Sequence, residues 1–122
     1  MKILIVDDNE DIHRLLARRL RKQGCTVYSA VNGAEGVVLA LSERPDIILM
    51  DMHMPVMDGY EATARLRKEG YRGVIAALTA SAMSGDQSKA MKAGCDKFIP
   101  KPIGRDFEEQ IRALVEKGES HA

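Results

Sequence analysis

The chain has 122 residues, enough for one domain with its own core, and its 18 Lys and Arg balance 18 Asp and Glu. That balance excludes a general attraction to nucleic acid or to a membrane surface, either of which would need a local basic patch. No apolar run approaches the roughly 18 residues of a membrane span, and the amino terminus MKILIVDD turns acidic too soon for a signal peptide, so a cytoplasmic location without membrane insertion is expected.

KILIV, residues 2–6, is a continuous apolar run that ends in Asp7 and Asp8, which reads as a strand buried on both faces with acid at its end. Asn9 can cap the helix that follows, Glu10 and Asp11 favour its first turn, and Ile12, Leu15, Leu16 and Leu20 recur at helical spacing until Gly24. The opposite face carries Arg14, Arg18, Arg21 and Lys22, ordinarily a solvated face. TVYSA, residues 26–30, is β-branched and aromatic, and Asn32-Gly33 leads into a helical pattern through Ala34, Val37, Val38 and Leu41. Cys25 and Cys95 share no C-x-x-C spacing and read as small buried hydrophobes.

The stretch DIILMDMHMPVMDG, residues 46–59, is the centre of the chain. Ile47, Ile48, Leu49 and Met50 form a run too short for a helix and without alternation, so it is a doubly buried strand, and it delivers Asp51 at its carboxyl end. Pro55 and Gly59 turn the chain away, and the methionines Met50, Met52, Met54 and Met57 read as core and turn filling. A helix with Ala62 and Leu66 stops at Gly70. GVIAALTA, residues 73–80, is a further buried strand that delivers Thr79. Residues 84–94 form a polar helix with few apolar anchors, KFIP at 97–100 is a short last strand ending at Lys101-Pro102, and Phe107, Ile111 and Leu114 mark the last helix. From about residue 117 the tail is expected to fray.

Five strands alternating with five helices, at about 25 residues per unit, predict an α/β fold: a doubly wound, flavodoxin-like five-stranded parallel sheet of order 2-1-3-4-5, in one domain spanning 1–122. Open sheets of this kind bind ligands at the carboxyl ends of their strands. Asp7, Asp8, Asp51, Thr79 and Lys101 then converge on one rim. Three carboxylates that close repel one another unless a cation neutralises them, and Mg²⁺ suits a site of carboxylate and carbonyl oxygens with little His or Cys. Beside Mg²⁺, Lys101 and the Thr79 hydroxyl, Asp51 is suited to attack phosphorus in line.

The acidic pair Asp7-Asp8, Asp51 followed by MHMPVMDG, Thr79-Ala80, Phe98 and Lys101-Pro102, in this order and spacing, resemble a response-regulator receiver domain from Lys2 to about Leu114. The resemblance implies a phosphoacceptor signalling domain of a two-component or phosphorelay system, not a conventional turnover enzyme, although one that catalyses its own phosphorylation and dephosphorylation. It implies phosphorylation of Asp51, a metal held by Asp8, Asp51 and the backbone carbonyl of His53 with Asp7 acting through water, and phosphoryl oxygens bound by Thr79, the Ala80 N–H and Lys101. Thr79 and Phe98 match the family's switch positions, with Phe98 acting by packing because it lacks a hydroxyl. His53 and Ser81 flank the phosphoryl group and tune its lifetime. The implied partners are a histidine kinase or a histidine phosphotransfer domain, met by the basic face of the first helix, and the wording around Asp51 and Lys101 is similar to receivers fused within hybrid sensor kinases.

Other classes fit less well. A phosphohydrolase of the haloacid dehalogenase type also uses Asp, Mg²⁺, Thr and Lys, but carries D-x-D after its first strand, where this chain has Asn9 two after Asp7. A flavodoxin-like cofactor binder needs N–H groups and hydroxyls where this chain has DDNED. A degenerate receiver used only for docking would have no need of the intact acid, Thr and Lys set.

Overall fold

The structure is a computed structural model that describes residues 1–54, 57–79, 84–101 and 103–120. Within them the alternation becomes β1 (Lys2–Val6), α1 (Glu10–Lys22), β2 (Thr26–Ala30), α2 (Gly33–Glu43), β3 (Ile47–Asp51), α3 (Gly59–Lys68), β4 (Val74–Thr79), α4 (Ser84–Ala93), β5 (Lys97–Pro100) and α5 (Phe107–Ser120). Every strand pair is parallel and the sheet order is β2-β1-β3-β4-β5, as the sequence predicts. All residues of β3 and β4 are buried, which is why these strands read as unbroken apolar runs, whereas the edge strand β2 buries only Ala30 fully.

The period of two divides each central strand between two cores. Leu4, Val6, Ile48, Met50, Ile75 and Ala77 pack with Val37 and Ala40 of α2, Ala62 and Leu66 of α3, and Ala90 of α4. Ile3, Ile5, Ile47, Leu49, Ala76 and Leu78 pack with Leu16 and Leu20 of α1 and with Phe107, Ile111 and Leu114 of α5. Two helices therefore cover one face and three the other, and the carboxyl ends of the strands are left open as a rim. No helix among the described residues is long and apolar enough to cross a membrane.

Two sequence expectations shift. The inner stripe of α1 is His13, Leu16, Ala17 and Leu20, while Leu15 is 44% exposed among Arg14 and Arg18. The inner stripe of α2 is Gly33, Gly36, Val37 and Ala40, not the set containing Ala34 and Val38; Val38 is 67% exposed. A Cβ on Gly36 would stand 2.8 Å from Val6 Cγ2, so α2 lies on β1 through a glycine face, and glycines carry no hydrophobic signal. The last helix spans Phe107–Ser120. Cys95 is buried and Cys25 half-buried, both as free thiols. In α4, Ala90 is fully buried and Met91 is 45% exposed, consistent with a thinly anchored helix.

Candidate functional site

At the rim, carboxylate oxygens of Asp7, Asp8 and Asp51 lie within 4.8 Å of one another, with Asp7 and Asp51 buried and Asp8 exposed. Lys101 enters from the end of β5, its Nζ 2.8 Å from Asp7 Oδ2 and 3.8 Å from Asp51 Oδ2. Its backbone N–H donates to the carbonyl of Thr79 at 2.7 Å, which aligns the start of the β5–α5 loop with the end of β4. Thr79 itself is fully buried. The strand ends thus bring together Asp7, Asp8, Asp51, Thr79 and Lys101, as the topology predicts.

Local turns hold these groups. The N–H of Asp7 donates to Ala30 on β2 at 3.1 Å, and Asp7 Oδ1 accepts the Asn9 N–H at 2.8 Å. Asn9 in turn caps α1, its Oδ1 accepting from the Asp11 N–H at 2.9 Å, so the acidic turn and the helix start form one unit. After β3, the His53 N–H donates to Asp51 Oδ1 at 3.2 Å. The chain then returns: the Gly59 N–H donates to Met52 at 3.1 Å, and Asp58 caps α3 by accepting from the Glu61 N–H at 2.9 Å. A Cβ on Gly59 would lie 2.2 Å from the Asp51 carbonyl oxygen, so a residue without a side chain is required for so close an approach. Met52 and Met54 are buried, as filling for this turn.

Burial is the largest influence on the Asp51 carboxyl and pushes its pKa up; the charges of Asp7 and Asp8 add to the rise, while the His53 N–H and the Lys101 ammonium oppose it. Three carboxylates against one ammonium leave an excess of negative charge when all are ionised. The two oxygens of Asp7 are each engaged by the protein, one by Lys101 and one by the Asn9 N–H. The pairing of Lys101 with Asp7 is not foreseen from the sequence, which places this lysine against a phosphoryl group.

His53 is exposed, and its ring meets Tyr60 rather than the carboxylates. Phe98 is half-buried against the core shared with α2, α3 and α4. Ala80 and Ser81 lie outside the described residues. Sequence reasoning misses His13, whose Nε2 lies 2.6 Å from the Asp7 carbonyl oxygen and whose Nδ1 is buried with no hydrogen-bond partner among the described residues. The signal was available: positions 13, 16, 17 and 20 form one helical stripe.

The family model for the response regulator receiver domain matches residues 3–115. Hybrid signal transduction histidine kinase G of Dictyostelium discoideum is 49% identical over 108 residues, which are 84% of this chain and 3% of that protein. The chain spans about half or less of the length of the other curated relatives it matches first. Among solved structures, the receiver domain of a sensor histidine kinase from Pseudomonas aeruginosa, with a magnesium ion coordinated in its active-site cleft, is 36% identical with a TM-score of 0.85 over 97% of each chain. A CheY-like receiver domain protein from Methanospirillum hungatei has a TM-score of 0.92 at 28% identity, covering 99% of this chain and 98% of its own. With a parallel sheet of order 2-1-3-4-5 and acid, threonine and lysine at its strand ends, the chain belongs to the response regulator receiver domain family.

Proposed function

We propose that Asp51 accepts a phosphoryl group from a phosphohistidine on a histidine kinase or a histidine phosphotransfer domain, and that residues 1–122 act as one receiver unit. The observation that carries this reading is the Asp7, Asp8 and Asp51 cluster with the Lys101 ammonium inside it. An oxygen of Asp51 attacks phosphorus in line, and the bond from phosphorus to the donor nitrogen breaks with its electron pair left on the imidazole. Lys101, 3.8 Å from Asp51 Oδ2, is within a small side-chain movement of an oxygen of the new phosphoryl group. The Thr79 hydroxyl and the Ala80 N–H hold the other oxygens, and His53 and Ser81 flank the group and set how long it lasts. The domain promotes its own phosphorylation and hydrolysis without turning over a substrate.

The donor set fits Mg²⁺, since a partly open rim of carboxylate oxygens favours a small hard cation that keeps some of its waters. Asp8, Asp51 and the His53 carbonyl are the proposed ligands, and Asp7 acts through water because its oxygens already serve Lys101 and Asn9. When bound, Mg²⁺ supplies neutralisation of charge on the transferring oxygens. The magnesium in the Pseudomonas receiver supports the same ion here. The reading extends to a cytoplasmic location and to kinase or output domains fused elsewhere in the same protein. Incubation with Mg²⁺ and acetyl phosphate should add one phosphoryl group by intact-mass spectrometry, and Asp51→Asn should add none. Full labelling of that variant would place the chemistry on another residue.

A further inference from the structure

Beside the acidic rim, side chains from the β3–α3 loop, α3 and α4 touch in series. The exposed imidazole of His53 meets the Tyr60 ring edge to face, with centroids 5.9 Å apart and planes at 74°. Lys89 of α4 places its Nζ 4.2 Å from the centroid of the same tyrosine ring. Tyr60 is only 7% exposed and follows Gly59, whose backbone is pressed against the Asp51 carbonyl, so the ring is fixed to the turn that carries the acceptor. His53 is fixed to it as well, because its N–H donates to Asp51 Oδ1.

An exposed imidazole with no neighbour would exchange among rotamers, whereas one packed on a buried ring is confined to few. Hydrolysis of an acyl phosphate on Asp51 needs a water to reach phosphorus in line from the open side of the rim. The imidazole branches from the residue whose N–H donates to Asp51 Oδ1, so its orientation bears on that approach. We propose that Tyr60 is a positioning residue for His53: its ring, itself contacted by Lys89, holds the imidazole in one orientation and thereby sets the lifetime of the phosphoryl group. This rests on the phosphoacceptor reading of Asp51.

The test is a double-mutant cycle on the decay of protein labelled with acetyl phosphate, read by intact mass in wild type, Tyr60→Leu, Tyr60→Phe, His53→Ala and Tyr60→Leu/His53→Ala. Tyr60→Leu should change the lifetime roughly two- to tenfold, the range set by one aromatic contact, and in the same direction as His53→Ala. Tyr60→Phe, which keeps the ring, should restore most of the wild-type lifetime. In the His53→Ala background, Tyr60→Leu should have no further effect. Nuclear Overhauser contacts between the His53 and Tyr60 ring protons should be present in wild type and absent in Tyr60→Leu. Additive effects of the two substitutions, a lifetime indifferent to either, or no ring contact in wild type would overturn the proposal. Should Tyr60→Leu not fold, Tyr60→Met takes its place in the cycle. A wild-type protein that takes no label defeats the phosphoacceptor reading and this inference together, whereas normal labelling with a failed cycle defeats only the positioning role.

Discussion

Asp51 is held in a setting that disfavours its charge, and the cost should be measurable in the metal-free protein. Its carboxyl pKa is raised, first by burial and then by Asp7 and Asp8. A carboxyl raised on folding binds its proton more readily in the native state. Its stabilising contribution is therefore complete below the unfolded value of about 3.9 and is lost as pH rises through the folded value. At neutral pH in EDTA, Asp51→Asn should be more stable than wild type, with the gap closing on acidification, and Asp8→Asn should shift the same way by less because Asp8 is exposed. Asp7→Asn should behave in the opposite sense. Its carboxylate is fully buried and bonded to Lys101 Nζ and the Asn9 N–H, so weakening that pair should cost about 1–3 kcal/mol. Mg²⁺ at ten times its Kd should stabilise wild type by roughly 1.4 kcal/mol and do much less for the Asp8 and Asp51 variants. Urea melts with EDTA and with Mg²⁺ measure each term. If both Asn variants at positions 8 and 51 are less stable than wild type in EDTA, and Mg²⁺ shifts all alike, the carboxylates do not form one metal site.

At the scale of elements, Arg67 has the role that the sequence hides most completely. In the chain it is one more charged residue of a good helix former's stretch. In the fold its guanidinium joins α3 to the segment before β4 and to the turn between α4 and β5. Nε donates to Gly94 at 3.0 Å, Nη1 to Tyr71 at 2.9 Å and Gly73 at 2.8 Å, and Nη2 to Asp96 Oδ2 at 2.8 Å, while Asp96 Oδ2 also accepts the Ile75 N–H at 3.0 Å. A planar fork can satisfy these acceptors at once and a lysine ammonium cannot. Arg67→Lys should accordingly lower stability by about 2–4 kcal/mol, several net hydrogen bonds with one partner left behind, without moving the phosphoacceptor. A thermal or urea melt within about 0.5 kcal/mol of wild type would show that the network carries no net stability. The face of α2 was illegible for a related reason. Gly33 and Gly36 form its inner side by fitting Met57 and Val6, and close backbone approach leaves no mark in hydrophobic spacing.

For the whole molecule, the order of elements and the residues at the rim were legible because both follow from position along strands. Continuous apolar runs marked β1, β3 and β4, and the polar residue ending each run had nowhere to go but the rim. Less was legible wherever partners come from distant segments. Lys101 on Asp7, Arg19 on Glu108 and Lys89 on Tyr60 each join elements that no local pattern relates. The thin anchoring of α4, through buried Ala90 and few other apolar residues, also sets the expected response to phosphorylation. Beryllofluoride should draw Thr79 toward the acceptor, turn the half-buried Phe98 inward and change the face of α4, β5 and α5. Chemical shifts confined to the metal loops, with Phe98 unmoved, would leave no such switch. The contact between Lys101 and Asp7 also bears on the order of synthesis. The hydrogen bond between Lys101 and Asp7 spans 94 residues of sequence. A chain leaving the ribosome displays Asp7, Asp8 and Asp51 long before it contains Lys101. Until β5 has been made and seated beside β4, the acid cluster lacks its ammonium, so competence to hold a phosphoryl group arrives with the last strand and reports that the sheet is complete.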